Sequence, residues 1–246
     1  MTRPALSFAD VSLVFPDGTA ALDRITFQVE PAEVVSLVGP SGCGKSTLLR
    51  VAAGLTRPTG GAVLQGSSNG LAMVPQDPTL LPWRSVRRNI ELLLELRGEN
   101  RTQRAARVEE VLELVGLRSF AGHRPRELSG GMRMRVSVAR ALALQPDVVL
   151  LDEPFAAVDE MTRERLCEEL LRLFAHRHTA GVFVTHSIAE AVFVSDRVLV
   201  LSARPGRIVQ DIPVPLAHPR ADDVRSSARF AEIAAQVRDA LRQAVP

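Results

Sequence analysis

Val34-Val35-Ser36-Leu37-Val38-Gly39-Pro40-Ser41-Gly42-Cys43-Gly44-Lys45-Ser46-Thr47 begins as a buried strand and ends as the start of a helix. The first five residues are apolar apart from Ser36, three of them β-branched valines, over strand length, and glycines follow at once. Residues 46–53 then carry apolar side chains at helical spacing and close at Gly54. Strand, glycine loop and helix in that order are the setting in which G-x-x-x-x-G-K-S cradles phosphates. Glycines let the backbone curl so that successive N–H groups, and the positive end of the helix, point at negative charge. On this reading Lys45 touches the β- and γ-phosphates, Ser46 ligates magnesium, Thr47 lies near the α-phosphate and Cys43 contributes its backbone. The expected ligands are ATP and Mg2+. Lys45 is also the single lysine of the chain, all other basic residues of the thirty being arginine. A compact point charge suits a narrow space between phosphate oxygens better than a planar fork does.

Outward from this loop, Val148-Val149-Leu150-Leu151-Asp152-Glu153 is an apolar strand ending in two acids. That form brings a carboxylate to a metal at the carboxyl edge of a sheet. Alternation sends the two acids in different directions, which assigns Asp152 to magnesium and Glu153 to the attacking water. Strands are expected at 6–14, 25–29, 62–64, 72–74, 182–185, 197–201 and 207–212, and helices at 162–175, 188–193 and 225–241. The opening strands predict an antiparallel part, the later strand–helix alternation predicts a parallel sheet, and 86–143 is predominantly helical. The fold class is therefore α/β, with an inserted helical subdomain at 84–145 and a C-terminal linker and helix at 214–246 within one domain spanning 1–246.

The 246 residues are 46% hydrophobic and 24% charged, ordinary globular usage that excludes disordered, collagenous and disulfide-scaffold classes. No apolar run approaches the roughly 18 residues of a membrane span, and residues 1–10 lack a signal-peptide core. A cytoplasmic protein is expected. Cys43 and Cys167 have neither metal-ligand nor disulfide spacing. A net charge of +2, with acids and arginines interspersed, gives no reason to expect nucleic acid.

Arg126-Glu127-Leu128-Ser129-Gly130-Gly131-Met132 opens a further helix with a capping serine and two glycines. With the phosphate loop and the Asp-Glu strand at these separations, nearly the whole chain resembles the ABC-type ATPases. The resemblance implies an ABC-type P-loop NTPase core and further roles. Gln76 in Val74-Pro75-Gln76-Asp77 is similar to the glutamine that senses magnesium and the attacking water, and His186 in Thr185-His186 to the switch histidine at the γ-phosphate. Asp159 looks like the dimer-contact aspartate. Phe15 occupies the place of the aromatic that stacks on adenine, with core packing as the alternative. In this family two cassettes pair head to tail, so that Ser129, Gly130, Gly131 and Met132 of one close over the ATP of the other. His123, His176, His178 and His218 have no such setting and are expected at the surface.

Leu80-Leu81-Pro82-Trp83 and Ser202-Ala203-Arg204-Pro205-Gly206-Arg207-Ile208 resemble the importer group for nitrate, sulfonates such as taurine, and related small solutes. The resemblance implies a homodimer of ATPase subunits on transmembrane permease subunits at the cytoplasmic face of the membrane. An extracytoplasmic solute-binding protein would act indirectly. Trp83 is either an anchor for the membrane subunit or packed in the helical lobe. Met134 stands where the family often has glutamine, Ala156 where glycine is usual and Ser187 where aspartate commonly follows the histidine. Met134 is expected to weaken closure over the partner's nucleotide, so that Met134→Gln raises the ATPase rate. The short connection from Gln65 to Leu71 puts the local strand pairing in question. An exporter ATPase subunit or a soluble ABC ATPase is the alternative function. A small-molecule kinase would leave Ser129-Gly130-Gly131 and His186 without a role.

Overall fold

A computed structural model describes residues 3–66, 70–156, 158–220 and 222–244. Strand β1 (Leu6–Val14) pairs antiparallel with β2 (Ala20–Val29) through a tight turn. In that turn Gly18 takes φ +84° and the Thr19 N–H bonds the Asp17 carboxylate at 2.9 Å. This bond holds the Asp17 carboxyl below its ordinary value. β2 begins five residues before the stretch expected from alternation, because its first half is paired to β1 rather than patterned by burial.

The larger sheet is built on β3 (Val34–Val38), whose five residues are all buried. Its other strands are β5 (Leu71–Val74), β6 (Val148–Asp152), β7 (Ala180–Val184), β8 (Arg197–Leu201) and β9 (Ile208–Pro213). Their order is β5-β6-β7-β3-β8-β9, with the first five parallel and β9 antiparallel to β8. β4 (Gly60–Gln65) joins β1 instead, in the order β2-β1-β4, so β4 and β5 belong to different sheets despite their nearness in sequence. Residues 67–69 of the connection between them lie outside the described residues.

Strand alternation divides the core in two. Val35, Leu37, Val148, Leu150, Val182, Val184 and Leu199 point to helix α1 (Lys45–Ala52) and to Leu6, Phe8 and Ile25 of the antiparallel sheet. Val34, Val38, Val149, Leu151, Phe183, Val198 and Val200 point to the opposite layer. That layer holds α5 (Glu160–Arg177), α6 (Ile188–Val194) and α7 (Ala228–Gln243). Three helices, α2 (Val86–Leu96), α3 (Arg101–Leu114) and α4 (Gly130–Ala143), fill the excursion between the neighbouring strands β5 and β6. α7 buries Phe230, Ile233, Val237 and Ala240, one stripe at helical spacing.

In a parallel sheet every strand delivers its carboxyl end to one edge, and the segments that follow gather there. Gly39 follows β3, Gln76 follows β5, Glu153 follows β6, Thr185 and His186 follow β7, and Arg204 follows β8. Topology alone thus brings five separated stretches together.

Candidate active site

The loop between β3 and α1 is shaped by glycines at two demanding points. Gly44 adopts φ +108°, and a Cβ there would sit 2.8 Å from the Ala21 carbonyl oxygen. Gly42 adopts φ +74°. Both are conformations that other residues rarely hold. Gly44 also serves as the N-cap of α1 without any side-chain cap, whereas α2 to α7 are capped by Ser85, Asn100, Ser129, Asp159, Ser187 and Ser227. The first-turn N–H groups of α1 are thereby left for a ligand, and an anion is what they suit.

A cavity of about 320 Å³ opens over this helix end. It is lined by Phe15, Ala21, Ser41, Gly42, Gly44, Lys45, Ser46, Thr47, Gln76, Glu153, His186 and Arg204. Lys45 is buried, its ammonium donating to the Gly39 carbonyl at 2.8 Å and the Pro40 carbonyl at 3.0 Å. Gly39, Pro40 and Cys43 support the loop from outside the lining, with the Cys43 sulfur buried 3.7 Å from the lysine nitrogen.

Behind the loop the Ser46 hydroxyl donates to Asp152 Oδ1 at 2.9 Å. Burial pushes the Asp152 carboxyl up, and the Ser46 bond opposes that shift. A buried carboxylate beside a hydroxyl at a phosphate-binding loop is a pair of hard oxygen donors, which fits magnesium, an ion that takes one or two protein ligands and completes its shell with phosphates and water. Among the described residues no group of three or more His, Cys, Asp or Glu could hold a metal ion.

Glu153 leaves the strand at φ +49°, its N–H held by the Val184 carbonyl at 3.0 Å. An acid at positive φ is uncommon, and the turn swings its carboxylate away from Asp152 into the cavity. There Gln76 Nε2 donates to it at 3.3 Å and the His186 ring nitrogen meets its other oxygen. Two of the three residues assigned to hydrolysis, Gln76 and His186, thus converge on the carboxylate of the third, Glu153. A second cavity of about 220 Å³ lies beside this group, lined by Arg163, Thr185, Ser187 and Glu190 among others. Glu190 accepts from the Thr185 hydroxyl, and the Arg163 guanidinium stands 3.2 Å from it. Burial holds the Glu190 carboxyl above its ordinary value. Ser187 caps α6 by accepting from the Glu190 N–H at 3.3 Å, the capping that an aspartate there would also perform.

Phe15 lines the cavity and is 38% exposed, so core packing is not its role in this chain. Trp83 is 69% exposed, which likewise sets aside the packed alternative. His123, His176, His178 and His218 are exposed as expected, the last pairing with Asp196 at 2.9 Å. Ser129 to Met132 are absent from the cavity lining. Ser129 caps α4 by accepting from the Met132 N–H at 3.2 Å, and Gly131 lies against Val158. Asp159 caps α5 through Thr162 at 3.0 Å, a bond that lowers its carboxyl pKa.

Two sequence expectations change. Met134 is 5% exposed within the helical core, so its side chain has no open surface from which to modulate closure, and glutamine there would be a buried amide. Arg204, quoted only as part of a group-specific segment, is part of the cavity wall. Arg163 and Glu190 were not singled out at all. The signal available for Glu190 was its position four residues beyond His186, on the helix that follows the histidine.

The description "ABC transporter" belongs to the family model that matches residues 22–156. A taurine import ATP-binding protein of Sinorhizobium fredii is 43% identical over 242 residues, covering 92% of this chain and 91% of that protein. A nitrate import ATP-binding protein of Synechococcus elongatus is 44% identical over 209 residues, covering 81% of this chain and 32% of that longer protein. Among solved structures, a dimeric post-hydrolysis state of an ATP-binding cassette bound to ADP and Pi matches with TM-score 0.77 and 29% identity, over 86% of this chain and 100% of the other.

Proposed function

This chain belongs to the ABC transporter family as an ATP-binding, ATP-hydrolysing protein, and from that premise we propose that it drives a small-solute importer of the nitrate, sulfonate and taurine kind. The observation that carries the site reading is the convergence of Gln76 and His186 on the Glu153 carboxylate beside the phosphate loop.

The loop from Gly39 to Thr47 holds the triphosphate, with Lys45 exchanging its carbonyl partners for β- and γ-phosphate oxygens. Phe15, which lines the cavity, stacks on the base. Ser46, Asp152 and Gln76 would hold magnesium, which neutralises phosphate charge when bound. Glu153 accepts the proton of the attacking water as oxygen bonds to the γ-phosphorus. The bond from that phosphorus to the bridging oxygen breaks, the oxygen leaves with ADP, and phosphate is released. His186 donates a hydrogen bond to the γ-phosphate in this arrangement, and Thr185, Arg163 and Glu190 hold its segment in place.

Ser129 to Met132 lie outside the chain's own cavity, which supports a head-to-tail homodimer in which they, with Asp159, complete the partner's site. Exposed Trp83 supports docking to a transmembrane permease. Among the described residues no helix is long and apolar enough to cross a membrane. We place the chain at the cytoplasmic face as a peripheral subunit, with an extracytoplasmic solute-binding protein acting through the permease.

Purification of the tagged protein from mildly solubilised native membranes tests this. A polytopic partner is expected with it, and ATPase activity should rise when a receptor loaded with nitrate or a sulfonate is added. Recovery without a membrane partner would move the assignment to a soluble ABC ATPase.

A further inference from the structure

We infer that Arg204 is a second phosphate-binding cation of the nucleotide site, acting beside Lys45 and fixed in place by the phosphate loop itself. This rests on reading the cavity as the ATP site. Arg204 lies on the turn between β8 and β9, and its side chain forms part of the cavity wall. Its Nε and Nη2 both donate to the Gly42 carbonyl, at 3.1 and 3.0 Å. Those bonds use two of the five guanidinium N–H groups, and the others bond nothing among the described residues.

The contrast with its neighbour is instructive. Arg207, three residues on, spends its charge on the Asp23 carboxylate, with a bond of 2.7 Å. Arg204 makes no ion pair among the described residues, and it is anchored to a neutral carbonyl instead. Its charge contributes to lowering the nearby Asp17 carboxyl, but it is not neutralised by an ion pair, and it lines the same cavity as Lys45. A guanidinium held by one edge and open at the other is suited to phosphate oxygens.

The turn is also held firmly against the loop. The Gly206 N–H donates to the Ala21 carbonyl at 2.9 Å, and the Asp23 N–H donates to the Gly206 carbonyl at 3.0 Å. A Cβ on Gly206 would lie 2.3 Å from the Cys43 carbonyl oxygen, so the backbone itself approaches the phosphate loop. On the far side the Ala203 N–H donates to the Ala244 carbonyl at 3.0 Å, tying the turn to the end of α7. Arg204 reaches the site from a braced element, and little ordering remains to be done on binding.

Wild type, Arg204→Gln and Arg204→Lys would be compared by displacement of a fluorescent ATP analogue with ATP and with inorganic tripolyphosphate, alongside ATPase kinetics and thermal melting. Arg204→Gln is expected to weaken both ligands and raise KM about tenfold, while kcat changes by less than about twofold. The affinity should also become less salt-dependent in this variant, because one screened charge is gone. Arg204→Lys should recover most of the affinity and the salt dependence, with melting temperatures close to wild type throughout.

Unchanged affinity in Arg204→Gln would overturn the inference. So would a loss for ATP without a loss for tripolyphosphate, which places the contact on the base or sugar. Equal losses in both variants with lowered melting temperatures would mean that Arg204 only braces the loop. Failure of the wild type to bind either ligand would instead remove the reading of the cavity as a nucleotide site.

Discussion

Glu153 joins three constraints at one position: a left-handed backbone, an N–H tied to β7, and a carboxylate shared by Gln76 and His186. Removing its capacity to take a proton while keeping its shape should stop chemistry and spare binding. Glu153→Gln is expected to lower turnover by about 10²-fold or more, with ATP affinity within a few fold of wild type, in phosphate-release and equilibrium-binding assays. Near-normal hydrolysis would remove the base assignment. Met134 carries the opposite lesson. Its place in the family pattern suggests a rate effect, but its burial makes Met134→Gln a packing change that leaves an amide in the core. A loss of about 1–3 kcal/mol in denaturant unfolding is expected, with no gain in ATPase rate. Cys167 is buried too, and burial, followed by the Glu190 charge, pushes its thiol up to about 12. A thiol with a raised folded-state pKa stays protonated while the unfolded chain ionises. Stability from this group is therefore present below the ordinary value of 9.0 and is lost as pH rises from there towards about 12. Iodoacetamide at pH 9 should leave Cys167 unlabelled in the native protein and label it once the chain is unfolded, as read by mass spectrometry.

Helix α6 ends where its last carbonyls would otherwise be buried without partners; the Ser195 and Ser36 hydroxyls donate to that of Ala191, and one guanidinium meets those that follow. Arg220 donates to the carbonyls of Val192, Phe193 and Ser195 at 3.2, 2.8 and 2.8 Å, and to those of Val214 and Leu216 at 3.4 and 3.3 Å. Its side chain is 0% exposed, with Asp196 3.7 Å away, and burial lowers its pKa. Arg220→Ala leaves several carbonyls unsatisfied at once and is expected to cost about 3 kcal/mol, with a fall of several degrees in melting temperature. A shift within about one degree would mean that water replaces the guanidinium. The α7 stripe of Phe230, Ile233, Val237 and Ala240 was legible from its spacing, and so were the bounds of β1, β3, β6 and β8 from their apolar patterns. Arg220 was not legible, because a charged residue in a Pro-rich linker reads as surface until the linker is seen to fold back over α6. The separation of β4 from β5 was equally hidden, since partner choice between strands is a non-local contact that neither strand's own pattern encodes.

At the scale of the whole molecule, the capping serine and glycines at the start of α4 do not line the cavity of their own chain, and in the proposed head-to-tail homodimer they would complete the site of a second copy. Complementation tests this directly. Lys45→Ala and Ser129→Arg subunits should each be nearly inactive alone, whereas their mixture recovers measurable turnover. In the mixed dimer one site has both an intact loop and an intact capping segment. No recovery on mixing, with both variants folded, would count against the shared site. The sequence by itself determined the chemistry carried within contiguous segments: a loop that binds phosphates, an acidic strand end and a capped glycine-rich helix start. Each depends on spacing along the backbone, and spacing is written in the chain. Only the tertiary structure decided which segments meet. The sheet order β5-β6-β7-β3-β8 differs from chain order, and the register of those strands sets Gln76, His186 and Arg204 around the loop. It also turned Met134 inward and freed Phe15 for the cavity, because burial is fixed by what packs against a residue and not by its neighbours in sequence.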